Sequence, residues 1–276
     1  MAARRMRLAF GLLGVLAIAG AGLSGCEFDT ASGSFTPENE NVLTVVTQPM
    51  PTAGFWEGTA ARPTGGFEYA LAEEIASQLD LDEVRVETAP FSRIVRGDLG
   101  DADIAMSLVT PTPDREKVLE FSTPYIQSPP ALIVREGTEI PDVKTAQKQQ
   151  FAVGLDTTFE DIVNNAIRPH SEPIEFENRN REVKSVARGK TDVAMFDLPA
   201  AQALIQQDDR LAIAARLPQT EPIAVALPKG SSNAEAIGSV LRKLETDGTI
   251  DLLSEEWLGR SFTDLSNNVP LLRTDQ

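Results

Sequence analysis

The sequence predicts an α/β chain, built largely on parallel sheet and organised in two similar halves. Three observations predict it. From Val42 onward, short β-branched runs alternate with amphipathic helical stripes. A helix-stop and strand-start signature occurs twice. The 276 residues, 42% of them apolar, suffice for two small lobes sharing a cleft or for one large domain, and exclude a chain disordered throughout.

The first residues are an address rather than fold. Arg4, Arg5 and Arg7 precede an uncharged apolar run over 8–22. That run is shorter than the ~20 residues a membrane-spanning helix needs, so residues 1–25 read as a secretory signal. Leu23-Ser24-Gly25-Cys26 follows, with the chain's one cysteine at its end. It resembles the lipobox of bacterial lipoproteins, which implies acylation of Cys26 and a lipid anchor in the cell membrane. Residues 26–41 are rich in Ser, Thr, Gly, Glu and Asn, without apolar periodicity, and read as a lipidated, solvated tether. The protein is thus expected to work on the extracytoplasmic face, where neither ATP nor reduced nicotinamide is supplied.

In the folded part, residues 43–46 are the first strand. Phe67, Leu71, Ile75 and Leu79 stand four apart on one helical stripe. Residues 84–89 return as a strand, and Phe91, Ile94, Val95 and Leu99 mark a short helix. Phe159, Ile162, Val163 and Ile167 form a further stripe, as do Ile237, Val240, Leu241 and Leu244 before Gly248. All read as core faces. The repeated signature is Val95-Arg96-Gly97 leading to Asp103-Ile104-Ala105-Met106, and Ala187-Arg188-Gly189 leading to Asp192-Val193-Ala194-Met195. Each is a helix closed by glycine and a strand opened by aspartate, which suggests one αβ unit used twice. Ligands in open α/β sheets collect beyond the carboxyl ends of strands, so residues after Met106 and Met195 should face a cleft.

Composition narrows the function. One cysteine excludes a disulfide framework, and one histidine, His170 in a loop-like context, disfavours zinc or haem. No metal and no cofactor is expected. With 41 acidic against 25 basic side chains, a net charge of −16 argues against nucleic acid or anionic lipid as the main partner.

After Met106 comes Ser107-Leu108-Val109-Thr110-Pro111-Thr112-Pro113-Asp114-Arg115, and after Met195 comes Phe196-Asp197-Leu198-Pro199. Facing one another, these walls would carry a guanidinium and a carboxylate, the complement of a zwitterion. Bland readings compete: Arg115 as a solvated residue in Asp114-Arg115-Glu116-Lys117, and Asp197 as a helix N-cap. Spacing alone favours these slightly.

The stretch from Leu43 to Gly259 resembles the family 3 extracellular solute-binding proteins, the polar amino-acid receptors of ABC importers. The likeness is carried by Gly66-Phe67-Glu68 to Ile75, by Thr110-Pro111-Thr112-Pro113-Asp114-Arg115 with Phe121-Ser122-Thr123-Pro124-Tyr125, by Thr157-Thr158-Phe159-Glu160-Asp161, and by Asp247-Gly248-Thr249 to Trp257-Leu258-Gly259. It implies a periplasmic-binding-protein type II fold, two αβ lobes joined by two crossover strands that close on the ligand. The strand-like runs 131–134 and 223–226 are candidate crossovers. Lobe 1 would then be 42–131 plus 227–262, lobe 2 would be 132–226, and 263–276 a flexible tail.

By the same resemblance, Arg115 clamps the ligand α-carboxylate, with Thr110 beside it and Leu108 contributing backbone. Thr157 adds a hydroxyl at a helix N-terminus, Asp197 takes the α-ammonium, and Phe91 covers the ligand. Gln48 stands where an acidic residue is common and suits an amide or carboxylate side chain. Pro51 stands where an aromatic ring is usual, which Phe55 or Trp56 could supply instead. Asp156 replaces the usual glycine, either as an N-cap or as an extra carboxylate favouring cationic side chains. The implied partners are an amino acid and the membrane subunits of an ABC permease, with the chain a monomer and not an enzyme. A dehydratase of cyclic acids on the same scaffold is the enzymatic alternative, with Asp156 and Asp197 its only candidate acids. A receptor for a signalling partner is another.

Overall fold

The computed structural model describes residues 34–262, 264 and 266–273; the expected secretory signal over 1–25 and the expected lipidation site Cys26 lie outside the described residues. The chain begins with β1 (Val42–Thr47), a hairpin of β2 (Glu57–Thr59) and β3 (Arg62–Gly65), α1 (Phe67–Gln78), β4 (Glu83–Thr88), α2 (Phe91–Val95) and β5 (Ile104–Val109). A 3₁₀ turn at Arg115–Lys117 leads into β6 (Leu119–Ser128). There follow β7 (Pro130–Arg135), α3 (Val143–Ala146), β8 (Phe151–Gly154), α4 (Thr158–Ile162) with a π turn over Val163–Ile167, β9 (Ile174–Phe176), α5 (Arg179–Ala187), β10 (Val193–Asp197), α6 (Leu198–Gln207) and β11 (Leu211–Arg216). The chain then returns through β12 (Glu221–Pro228), α7 (Ala234–Thr246) and α8 (Thr249–Leu258).

Two five-stranded sheets result, ordered β4-β1-β5-β12-β6 and β9-β8-β10-β7-β11. They are built alike. In each, three parallel strands are followed by one antiparallel strand, β12 or β7, and then by an edge strand paired antiparallel to it. β5 and β10 are buried along their whole length, as strands covered on both faces should be. The predicted stripes pack inward: Phe67, Leu71 and Ile75 of α1 are fully buried, as are Ile237, Leu241 and Leu244 of α7 to within 1%.

The repeated signature has a structural reason. Asp103 accepts the Thr44 backbone N–H at 2.8 Å and that of Glu38 at 2.6 Å. Asp192 accepts the Gln150 N–H at 3.0 Å and a bond from Arg135 Nη2 at 2.9 Å. In each lobe the aspartate before the third strand ties down the start of its parallel neighbour, and Gly97 and Gly189, at φ 86° and 70°, turn the chain toward it.

Three expectations are corrected. Residues 131–134 and 223–226 do not cross between sheets. β7 pairs wholly in the second sheet and β12 wholly in the first. The switches fall at Pro129 and at 217–220, so residues 221–226 belong to lobe 1 rather than lobe 2. Within the expected tether over 26–41, the described end belongs to the fold: the Thr36 backbone exchanges two hydrogen bonds with the Asn233 amide at 2.9 and 3.0 Å, and Phe35 packs on the core. The tail, expected to be flexible, docks on lobe 2 over its described part. Leu272 is 4% exposed, its N–H donates to Arg216 O, and Val143 N donates to Arg273 O.

Candidate functional site

The lobe 1 wall is organised by a residue that sequence reasoning missed. Glu68 is 1% exposed and accepts three hydrogen bonds: from Trp56 Nε1 at 2.6 Å, from the Leu108 backbone N–H at 2.8 Å, and from the Tyr125 hydroxyl. Burial pushes its carboxyl above the usual range, and the bonds from Tyr125, Leu108 and Trp56 pull it back. Leu108 sits at φ 53°, uncommon for a branched side chain, and the bond to Glu68 holds it there. Two pieces of the motif set, Glu68 and Tyr125, are therefore scaffolding for the loop after β5. Neither Phe55 nor Trp56 supplies a ring to the cleft. Both are fully buried, Phe55 edge-on to Phe67 at 5.9 Å and Trp56 bonded to Glu68.

Arg115 is not a solvated surface residue. It is 8% exposed and lies over the Phe91 ring at 5.4 Å. Its Nη1 donates to Thr110 O and its Nη2 to Asp156 O, both at 2.8 Å. Desolvation lowers its pKa to about 10, with Glu221, Asp156 and Asp197 opposing, so it stays charged at neutral pH. Thr110, 7% exposed, thus contributes a carbonyl that orients the guanidinium.

Asp156 does not cap α4; Thr157 occupies the N-cap position, and its hydroxyl donates to Gly154 O at 2.7 Å. Asp156 adopts φ 59°, the left-handed geometry its glycine equivalent would take freely. Its carboxylate meets Arg96 Nη2 at 2.8 Å across the cleft. That charge is therefore paired with lobe 1.

Asp197 occupies the N-cap of α6, yet its carboxylate makes no capping bond. It is 3% exposed and lies 3.7 Å from Arg179 Nη2. Burial raises its pKa to about 6, against the pull of Arg179 and with a push from Glu221 and Glu68. Arg179, the first residue of α5, rests on the Phe196 ring at 4.9 Å. One turn on, Glu182 is 2% exposed, and desolvation pushes its pKa to about 8 against the pull of Arg179. Arg179 Nη1 and Glu182 Oε1 are buried without a hydrogen-bond partner among the described residues. Neither residue was anticipated, although Arg179, Glu182, Val183 and Val186 share one helical face.

These walls meet around one interior cavity of about 30 Å³, lined among others by Gln48, Phe91, Thr157, Arg179, Glu182 and Phe196. That is room for a water or two and less than any amino acid requires. Arg115 and Asp197 stand beside the lining, Arg115 against Phe91 and Asp197 against Arg179, while Leu108 and Thr110 lie on the loop after β5, bonded to Glu68 and Arg115. Outside lies an open mouth of about 490 Å³ bordered by Arg96, Arg115, Asp156 and Thr157. The lobes are latched by the Asp156 contacts to Arg96 and Arg115, by Thr158 Oγ1 donating to Glu221 at 2.7 Å, and by Asn180 Nδ2 donating to Pro51 O at 3.2 Å. Among the described residues no cluster of His, Cys, Asp and Glu is placed to hold a metal ion.

The chain is similar to the L-cystine-binding protein TcyJ of Escherichia coli, 27% identical over 259 residues that cover 91% of this chain and 96% of the relative. An ancestral arginine-binding protein bound to glutamine superposes with a TM-score of 0.71 at 25% identity, over 80% of this chain and all of the other. An ancestral amino acid-binding protein, a precursor of cyclohexadienyl dehydratase, superposes at 0.69 with 27% identity, over 79% of this chain and 96% of the other. Residues 43–260 match the bacterial extracellular solute-binding proteins, family 3. The expected type II periplasmic-binding fold is thereby confirmed, and the chain belongs to the family 3 extracellular solute-binding proteins.

Proposed function

We propose that this chain is a lipid-anchored receptor that captures a polar amino acid between its two lobes and delivers it to an ABC permease. The observation that carries the reading is a pair of buried opposite charges, Arg115 and Asp197, each against a residue that lines one interlobe cavity, Phe91 from lobe 1 and Arg179 from lobe 2. The α-carboxylate binds the Arg115 guanidinium, already aimed by Thr110 and Asp156, and the α-ammonium binds Asp197. Leu108 offers backbone at its held turn, and Phe91, Gln48 and Thr157 enclose the ligand. Because the shut cavity is too small for an amino acid, entry requires the lobes to part, with Pro129 and 217–220 as the joints.

Removing one partner of a buried charge contact costs ~3–5 kcal/mol. Arg115→Ala is therefore expected to weaken amino-acid binding at least ~100-fold in titration calorimetry. Unchanged affinity would remove Arg115 from the site.

Binding rather than catalysis is favoured by how the acids are held. Asp156 is paired with Arg96, and Asp197 faces Arg179. Release of product from prephenate or arogenate would reverse this ranking. Anchoring rests on Cys26 in its lipobox-like setting; labelling with a radioactive fatty acid, and its loss in Cys26→Ala, tests it.

A further inference from the structure

Two residues line the cavity from the lobe 2 side, Arg179 and Glu182, with no role in the α-carboxylate and α-ammonium contacts, and each carries a buried polar atom without a hydrogen-bond partner among the described residues. Arg179 Nη1 is a donor and can only donate. It is buried, its neighbour Nη2 leans on Asp197 at 3.7 Å, and its plane is fixed on Phe196. Glu182 Oε1 is buried on the next turn of α5, and the other carboxylate oxygen, Oε2, lies toward Gly154. A buried polar atom without a partner costs about 1–3 kcal/mol. Sites of this kind are built for an incoming group. Gln48 lines the same cavity from lobe 1 and can donate or accept.

Resting on the receptor reading above, we infer that Arg179 and Glu182 form the subsite for the ligand's side chain and select one that ends in a carbonyl oxygen, a carboxylate or a carboxamide. When the ligand ammonium reaches Asp197, the Arg179 guanidinium must share its carboxylate neighbour. An acceptor on the ligand side chain restores what Arg179 gives up. Glu182, held protonated by its desolvation at neutral pH, adds a second donor to the same oxygen or accepts from an amide. A side chain ending in ammonium or guanidinium meets Arg179 head-on, a repulsive device. Asp156, whose place in the sequence suggested a preference for cations, is paired with Arg96 at 2.8 Å.

Titration calorimetry with glutamate, glutamine, lysine, arginine and leucine tests this. Glutamate or glutamine should bind at least about tenfold more tightly than the other three, and the two arms show which terminal group is preferred. In Arg179→Met that ratio should fall at least about tenfold. Arg179→Lys, which keeps charge without the planar fork, should give an intermediate ratio. Glu182→Gln should keep the preference and Glu182→Leu should reduce it. Lysine, arginine or leucine binding tightest to the unaltered protein would overturn the inference, as would an unchanged ratio in Arg179→Met. If no amino acid bound at all, the receptor reading itself would fall, a result distinct from both.

Discussion

The two walls of the cleft differ in how their buried polar atoms are used. In lobe 1, Glu68 is filled by three donors and Arg115 is aimed by the Thr110 carbonyl with N–H groups to spare for a ligand, so the wall is set within its own lobe before any ligand arrives. In lobe 2, Arg179 Nη1 and Glu182 Oε1 have no hydrogen-bond partner among the described residues, and the Asp197 carboxylate stands 3.7 Å from Arg179. Both arginines lie on phenylalanine rings, at 5.4 and 4.9 Å, so the frames are alike and the hydrogen bonding is not. One wall is a preorganised clamp, which lowers the entropy lost on binding. The other carries the atoms whose satisfaction depends on what is bound.

The sharpest way to break this contrast is to empty the complete wall. Glu68→Ala strands the Trp56 indole N–H, the Tyr125 hydroxyl and the Leu108 N–H in the core. It is expected to cost about 3–5 kcal/mol, seen as a fall of about 10 °C in the melting temperature. A loss under about 1 kcal/mol would mean that the network is not what holds the loop. Next in size, Asp197→Asn should weaken binding by about tenfold or more, and more for ligands with a primary ammonium than for analogues lacking it. Equal losses for both would contradict the ammonium role.

The lobe 2 acids also give the protein a pH signature. Glu182 (about 8) and Asp197 (about 6) have folded pKa values raised above those of the unfolded chain. Between pH 4.5 and 8 the folded state therefore holds protons that the unfolded state has released, so stability falls as pH rises through this window. Glu68 and Glu221, also raised, act in the same direction. The melting temperature should be higher at pH 5 than at pH 8, and Glu182→Gln should flatten that slope by on the order of 5 °C. An unchanged slope would place the titration elsewhere. The smallest effect is expected at the latch. Asp156→Gly relieves a left-handed aspartate and gives up a bond to an Arg96 side chain 70% exposed. Those changes offset within about 1 kcal/mol, so thermal unfolding should move by no more than about 2 °C.

Much of this was legible in the residues. The stripes of α1 and α7 gave core faces because helical period and burial agree, and Asp103 and Asp192 marked equivalent points because both anchor a neighbouring strand. The switch between sheets was not legible, because β7 and β12 are continuous apolar runs whose sequence does not say which lobe they join. Glu68, Arg179 and Glu182 were hidden for a different reason. Arg179 and Glu182 stand in a charged run, Arg179-Asn180-Arg181-Glu182, which composition reads as solvated, and Glu68 is a lone acid at the start of an apolar stripe with no spacing that marks it as a hub. Their helical phase was the available signal. Glu68 shares a face with Leu71, Ala72 and Ile75, and Arg179 with Val183 and Val186.

The central claim is that Arg115 and Asp197 close on the two ends of one amino acid. A crystal structure of the protein with its tightest-binding amino acid tests it most directly. The account predicts the α-carboxylate within hydrogen-bond distance of the Arg115 guanidinium and the α-ammonium within hydrogen-bond distance of Asp197. An amino acid seated elsewhere, or one that leaves either side chain without a ligand contact, would contradict it.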